Sequence, residues 1–252
     1  MKIEGSVAIV TGGNRGIGEG FVRALLEAGA AKVYVGSRDP TAADFLAREF
    51  PEKALPVALD VTDEASVNAA AAFCSDTQIV INNAGAFENV LLLGAADTHA
   101  ARREMEVNYF GILHMCRAFA PILARNGGGS IMNVLSVGGI LAVPNMGGYS
   151  PSKFAARALT TIVRAELAEQ GTHVGCLIVG SVDTRMSSHV KGSKEHPIDV
   201  ARAGVAAIRK DMKEMDTDNF AVTVRAALHR DAATLEQRMA AMVRATELNT
   251  GR

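Results

Sequence analysis

The chain has 252 residues, 48% of them apolar, with 26 basic and 27 acidic side chains giving a formal charge of −1. That length and apolar share suit one α/β domain with a sizeable core. The balanced charge gives no reason to expect nucleic acid or an anionic membrane as a partner.

SVAIV (6–10) is a short β-branched run and predicts a first strand, with helical periodicity over 16–29 behind it. Between them lies TGGNRGIG, Thr11 to Gly18. Glycine at 12, 16 and 18 permits a tight turn and lets backbone amides approach a pyrophosphate. The helix start adds unpaired N–H groups and a partial positive charge. Gly12, Asn14, Arg15, Gly16, Ile17 and Gly18 are therefore candidate cofactor residues.

KVYVGS (32–37) predicts the second strand, and GSRDP ends it. A dinucleotide fold selects its ribose there, about 20 residues past the glycines. An acid at that place would bind a free 2′-hydroxyl, but the chain has Ser37, followed by Arg38. With Arg15 from the turn, two guanidiniums and a hydroxyl make a monophosphate clamp. This favours NADP(H). Asp39 competes, because a one-residue slip would bring its carboxylate to the ribose and favour NAD.

Further strands are predicted at ALPVAL (54–59), QIVIN (78–82), SIMNVLS (130–136) and HVGCLIV (173–179), with helices over 64–73, 97–125 and 149–170. Several strands are apolar throughout, as expected when helices cover both sheet faces. The alternation predicts an α/β fold with a doubly wound parallel sheet flanked by helices. SSHVKGSKEHP (187–197) is polar and reads either as a lid over substrate or as a solvent loop. Beyond it the chain reads as a helical tail to Arg252, with a strand signal near 212–216.

The start of the 149–170 helix reads GYSPSKFAA. Tyr149 and Lys153 are spaced i,i+4 and share a face, and Pro151 fits a first helical turn. A phenol beside an ammonium loses its proton more easily. Lowering a tyrosine by roughly three units needs about 4 kcal/mol, more than one lysine supplies, so a second cation is expected.

The N-terminus lacks a signal-peptide layout, and no uninterrupted apolar stretch approaches the roughly 20 residues that span a bilayer. Cys74, Cys116 and Cys176 are scattered among apolar neighbours and read as buried thiols in a reducing compartment. A cytoplasmic location is expected. His189 and His196 are not spaced for a metal, and no metal site is expected.

Thr11-Gly12-x-x-x-Gly16-Ile17-Gly18 resembles the turn of the short-chain dehydrogenase/reductase family. LDVTD with Asp60, INNAG (81–85), VNYFG with Asn108, Ser136 after the fifth strand and Tyr149-x-x-x-Lys153 follow in that family's order. The resemblance covers roughly residues 5–186 and implies a Rossmann-like fold. It implies that Tyr149 is the acid/base, that Ser136 positions the carbonyl, that Lys153 also holds the nicotinamide ribose, and that Asn108 stabilises a water in a proton relay. An oxidised nicotinamide ring would be the second cation. It further implies that Asp60 and Val61 border the adenine, and that Asn83, Ala84 and Gly85 pass the adenosine ribose. Val182 and Thr184 would meet the nicotinamide amide. Val179-Gly180 stands where the family has Pro-Gly, a change expected to loosen that turn.

The expectation is a single domain over 1–252, its 187–252 portion a variable lid and helical segment. Leu141, Val143, Met146 and Met186 would make the substrate pocket apolar. The leading function is an NADPH-dependent carbonyl reductase or secondary-alcohol dehydrogenase acting on an apolar ketone, aldehyde or alcohol. The alternatives are an NAD-dependent alcohol dehydrogenase and a catalytically silent dinucleotide sensor. Helices 97–125 and 149–170 resemble the family's usual oligomer surface, implying a homodimer or homotetramer.

Overall fold

Strands that are apolar on both faces need helices on both, and the chain supplies them. A computed structural model describes residues 1–188 and 190–250. Its elements are β1 (Val7–Thr11), α1 (Gly16–Glu27), β2 (Lys32–Ser37), α2 (Asp44–Glu49), β3 (Ala54–Ala58), α3 (Glu64–Phe73), β4 (Ile79–Asn82), α4 (His99–Met105), α5 (Gly111–Arg125), β5 (Gly129–Val134), α6 (Tyr149–Glu166), β6 (Thr172–Ile178), α7 (Pro197–Arg209), β7 (Glu214–Asp216) and α8 (Asn219–Thr250). The strands form one parallel sheet in the order β3-β2-β1-β4-β5-β6-β7. The order reverses between β1 and β4, the switch point where such sheets bind ligands beyond their carboxyl ends.

Two cores lie on opposite faces. One gathers Val67, Met115, Phe119, Leu123 and Leu159 from α3, α5 and α6. The other gathers Phe21, Leu25, Leu46, Val205 and Ile208 from α1, α2 and α7. Small residues set the spacing of α1 against α7. A Cβ on Gly204 would stand 2.5 Å from the Phe21 ring, and one on Gly20 would stand 2.8 Å from the Pro197 carbonyl oxygen. The helical stretch His99–Arg125 is long and apolar enough to cross a membrane by length and composition. Here Met115, Phe119 and Leu123 turn it into a core helix.

Three sequence expectations change. The 97–125 helix is interrupted by a π-helical segment, Glu106–Phe110, which contains Asn108. An inserted residue of this kind shifts the ladder without altering the apolar period, so composition gives no sign of it. The helix α2 has only six residues, too few for a period to register. The tail is interrupted where the strand signal near 212–216 lay: β7 adds a seventh strand at the edge, paired with β6. Its residues are charged and are held by side chains: Arg157 on α6 pairs with Glu214 at 2.7 Å, and Arg225 on α8 pairs with Glu214 at 2.8 Å and Asp216 at 2.6 Å. The helix α8 kinks at Asp231, whose carboxylate accepts from the Thr234 N–H and hydroxyl and so caps the second half.

The 187–197 stretch is pinned at its far end. The Glu195 N–H donates to the Ser181 carbonyl at 2.8 Å, and the Glu195 carbonyl accepts from the Asp183 N–H at 2.9 Å. His196 precedes α7 as its N-cap residue, whereas His189 lies outside the described residues. All three cysteines are buried, unpaired thiols, and burial pushes each up to about 12.

Candidate active site

The glycine turn leaves β1 at the switch point and is braced from β4. Thr11 Oγ1 accepts from the N–H groups of Asn83 and Ala84, both at 2.9 Å. Asn83 Nδ2 donates to the Thr11 and Gly12 carbonyls at 2.9 and 3.2 Å. Gly18 packs so closely that a Cβ would collide with the Gly12 carbonyl and lie 2.6 Å from Asn83 Nδ2. Asn83 and Ala84 thus shape the phosphate-binding turn, a structural task beyond the ribose contact expected of them. Gly12 and Gly16 sit at φ of +63° and +54°, where L side chains are strained. Asn14 and Ile17 are partly buried in the same turn, and Gly85 follows Ala84 toward Asn108.

At the end of β2 the local geometry bears on the two ribose readings. The Asp39 carboxylate accepts from the Thr41 N–H at 3.0 Å and from its hydroxyl at 2.7 Å. It caps the short helix that Pro40 opens, so it is engaged in local structure. Ser37 is buried and donates its hydroxyl proton to the Asp39 carbonyl at 2.6 Å. In this arrangement the Ser37 hydroxyl is engaged with the backbone two residues on. A third cation, Arg185, acts on Arg15 from the segment after β6. Burial lowers the Arg15 guanidinium, and the charges of Arg185 and Arg38 lower it further, so the three gather around one region. None of the three forms a salt bridge among the described residues. Arg185 was missed because it is some 170 residues away in sequence, with no local signal linking it to the turn.

Asp60 accepts from the Thr62 N–H and hydroxyl at 2.9 and 2.7 Å. Burial pushes its carboxyl up, but those bonds and the Arg38 and Arg103 charges outweigh it and hold it below the usual range. Val61 is buried, and its carbonyl faces His114 Nδ1 at 3.0 Å. Val182 is buried in a bridge to Glu195, and Thr184 reaches back over Gly16, its Cγ2 lying 3.3 Å from where a Cβ would be.

The expected loosening at Val179-Gly180 does not occur. The Gly180 N–H donates to Asp218 Oδ2 at 2.8 Å, while Asp218 Oδ1 accepts from the Ala221 N–H at 2.9 Å. One buried carboxylate therefore fixes the turn and caps α8. Asp218→Ala is expected to cost about 1–3 kcal/mol, the scale of a lost cap plus an orphaned amide. Thermal denaturation measures it, and an unchanged midpoint contradicts the assignment.

Tyr149 opens α6 beside the exit of β5, where Ser136 and Lys153 meet it. Ser136 Oγ accepts from the Gly138 N–H at 3.1 Å, which leaves the hydroxyl proton free to point away. Lys153 is buried; its ammonium donates to the Val134 carbonyl at 3.0 Å and lies 5.5 Å over the Tyr149 ring. Burial lowers that ammonium to about 8. Burial pushes the Tyr149 phenol up to about 12; the Ser136 hydroxyl pulls it down, and the Glu104 charge pushes it up. Burial dominates at the phenol, which keeps the requirement for a second cation.

Asn108 is fully buried. Its Nδ2 donates to the Ala86 carbonyl and to Ser152 Oγ, both at 2.9 Å, and its Oδ1 accepts from the Ala86 N–H at 2.9 Å. Both side-chain protons are committed, so the side chain braces the loop after β4 against α6. Around the phenol, Phe87 packs edge-on at 5.1 Å between ring centres. Met146 lies 3.3 Å and the Tyr149 ring 3.4 Å from where a Cβ on Gly138 would be. Met186 lies near Gly85, whereas Leu141 is buried in the core, with Val143 packed against that core. Leu141 is thus removed from the expected lining.

A braced glycine turn at the switch point of a parallel sheet, with a tyrosine-lysine pair two strands away, defines the class of dinucleotide-dependent oxidoreductases. The family model for short chain dehydrogenases matches residues 6–195, and the chain belongs to that family. It is 37% identical over 180 residues to the short chain dehydrogenase tazN of Aspergillus terreus, covering 66% of this chain and only 39% of that longer protein. It is 30% identical over 253 residues to a 3-alpha-(or 20-beta)-hydroxysteroid dehydrogenase of Mycobacterium bovis, covering 93% of this chain and 95% of that one. A short chain dehydrogenase from Burkholderia cenocepacia, solved in complex with NADP, superposes with a TM-score of 0.90 at 40% identity, covering 95% of this chain and 99% of the other.

Proposed function

We propose that this oxidoreductase is an NADP(H)-dependent carbonyl reductase and secondary-alcohol dehydrogenase acting on an apolar ketone, aldehyde or alcohol. The observation that carries the cofactor choice is the end of β2: Asp39 is turned into a local cap, while Arg15 feels the charges of Arg38 and Arg185 and none of the three closes a salt bridge among the described residues. A dinucleotide with a 2′-phosphate satisfies those charges. When bound, the nicotinamide supplies the hydride and, in its oxidised form, the second positive charge beside the phenol.

The chain's own residues do the rest. Tyr149 donates its proton to the carbonyl oxygen, and Ser136, oriented by the Gly138 amide, holds that oxygen as charge develops. Lys153 is anchored by Val134 and holds the cofactor ribose. The Asn108 side chain keeps the loop and α6 in register. Phe87, Met146 and Met186 give the surroundings of Tyr149 an apolar character, and the hydroxysteroid dehydrogenase relative supports bulky apolar ketones as the class to assay.

NADPH-dependent turnover of a steroid and aryl ketone panel tests the reading. Arg15→Ala and Arg38→Ala should each raise KM for NADPH at least about tenfold, about 1.4 kcal/mol, with little change for NADH. Equal effects on both cofactors would contradict the clamp. The exposed Phe110, Phe154 and Ile162 on the α5–α6 side support a homodimer or homotetramer, and the buried thiols support a reducing, cytoplasmic setting.

A further inference from the structure

Glu104 is a charged residue 1% exposed, on α4, outside the set that performs the reaction. Its Oε1 accepts from the Glu88 N–H at 2.8 Å, in the loop after β4. Its neighbour Arg103 holds the Glu88 side chain at 2.7 Å, so α4 grips that loop residue twice. Glu104 Oε2 closes no hydrogen bond of good geometry. It points at the glycine pair before Tyr149: a Cβ on Gly148 would stand 2.7 Å from it and 2.5 Å from the Ala101 Cα. A Cβ on Gly147, at φ +30°, would collide with the Val90 carbonyl of the same loop. The glycine pair Gly147–Gly148 thus lets α4, the loop and the first turn of α6 meet, and Glu104 occupies their junction.

We infer that Glu104 is a positioning residue for Tyr149, its buried carboxylate fixing the 86–94 loop and α4 to the first turn of the helix that carries the phenol. The inference rests on Tyr149 serving as the acid/base. The carboxylate charge also acts on the phenol directly. Burial raises the Glu104 carboxyl, with the Gly148 and Glu88 amides partly offsetting it. The Glu104 charge is among the causes that raise the Tyr149 phenol. A negative neighbour then keeps the Tyr149 proton on. The charged and titratable groups facing it are Glu88, held by Arg103, from the loop, and Tyr149 from α6, with Lys153 one turn beyond.

Glu104→Gln keeps an acceptor for the Glu88 amide and removes the charge. Tyrosine labelled with carbon-13 at Cζ reports ionisation without substrate or cofactor, and Tyr149→Phe assigns the resonance among three tyrosines. In Glu104→Gln, Tyr149 should begin to ionise about half a unit or more lower than in the wild-type chain. An unmoved or raised onset overturns the inference. In the wild-type chain, the Glu88 amide should exchange with solvent far more slowly than that of Leu93; equal rates overturn the junction whatever the variant does. If Tyr149→Phe keeps turnover, the acid/base reading fails first. If it loses turnover while Glu104→Gln leaves the onset unmoved, the role of Glu104 fails alone.

Discussion

Tyr149→Phe lowers kcat for carbonyl reduction by about 10³-fold or more, the scale of a lost general acid, while the cofactor Kd stays within about threefold. The substitution removes one oxygen and leaves the ring packed edge-on against Phe87. The helix start, the Lys153–Val134 bond and the glycine turn do not depend on that oxygen. The pH dependence follows from sign. A phenol held near 12 is protonated at neutral pH, so reduction has its acid available and its rate is flat across neutrality. Oxidation of an alcohol needs the phenolate, so its rate rises about tenfold per pH unit below the phenol's pKa in the working complex. Burial holds Lys153 near 8, so its positive charge supports the phenolate only below that pH. Initial rates in both directions, for wild type and Tyr149→Phe, test this. A variant with wild-type turnover would remove Tyr149 from the chemistry.

The second large effect belongs to Gly18. In Gly18→Ala the new methyl meets backbone, the Gly12 carbonyl, and the Asn83 amide that holds Thr11 and Gly12 in place. Neither neighbour can swing aside as a flexible side chain would, so the turn itself must open. Overpacking of this kind costs about 1–3 kcal/mol of stability. Because the same turn presents amides to the phosphates, cofactor affinity should fall at least about 100-fold. Calorimetric titration and thermal denaturation of the variant measure both. Binding within a few-fold of wild type would mean that the turn is not the phosphate site.

The strands were legible because their apolar β-branched runs are local: each lies within two residues of the expected bounds. The glycine turn and the Tyr149–Lys153 pair were legible for the same reason, since chemistry and spacing lie within eight and five residues. What escaped depends on distant approach. β7 showed only as a strand signal near 212–216, and the ion pairs that hold its EMD residues come from Arg157 on α6 and Arg225 on α8, distant in sequence. Asp218 secures a turn 38 residues earlier, a partnership no local pattern announces. The Ser37 hydroxyl reads as a free donor in sequence, and its bond to the Asp39 carbonyl shows only in the structure. Lys153 was expected to ease the Tyr149 proton because the i,i+4 spacing shows proximity but not burial, and burial wins.

The central claim is that this fold holds a nicotinamide dinucleotide through a 2′-phosphate clamp and uses it for hydride transfer. A paired fluorescence titration of the wild-type chain with NADPH and NADH tests it most directly. The account predicts tighter NADPH binding by at least about tenfold, equivalent to about 1.4 kcal/mol. Equal or tighter binding of NADH would mean that Asp39 leaves its cap for the ribose and would contradict the clamp.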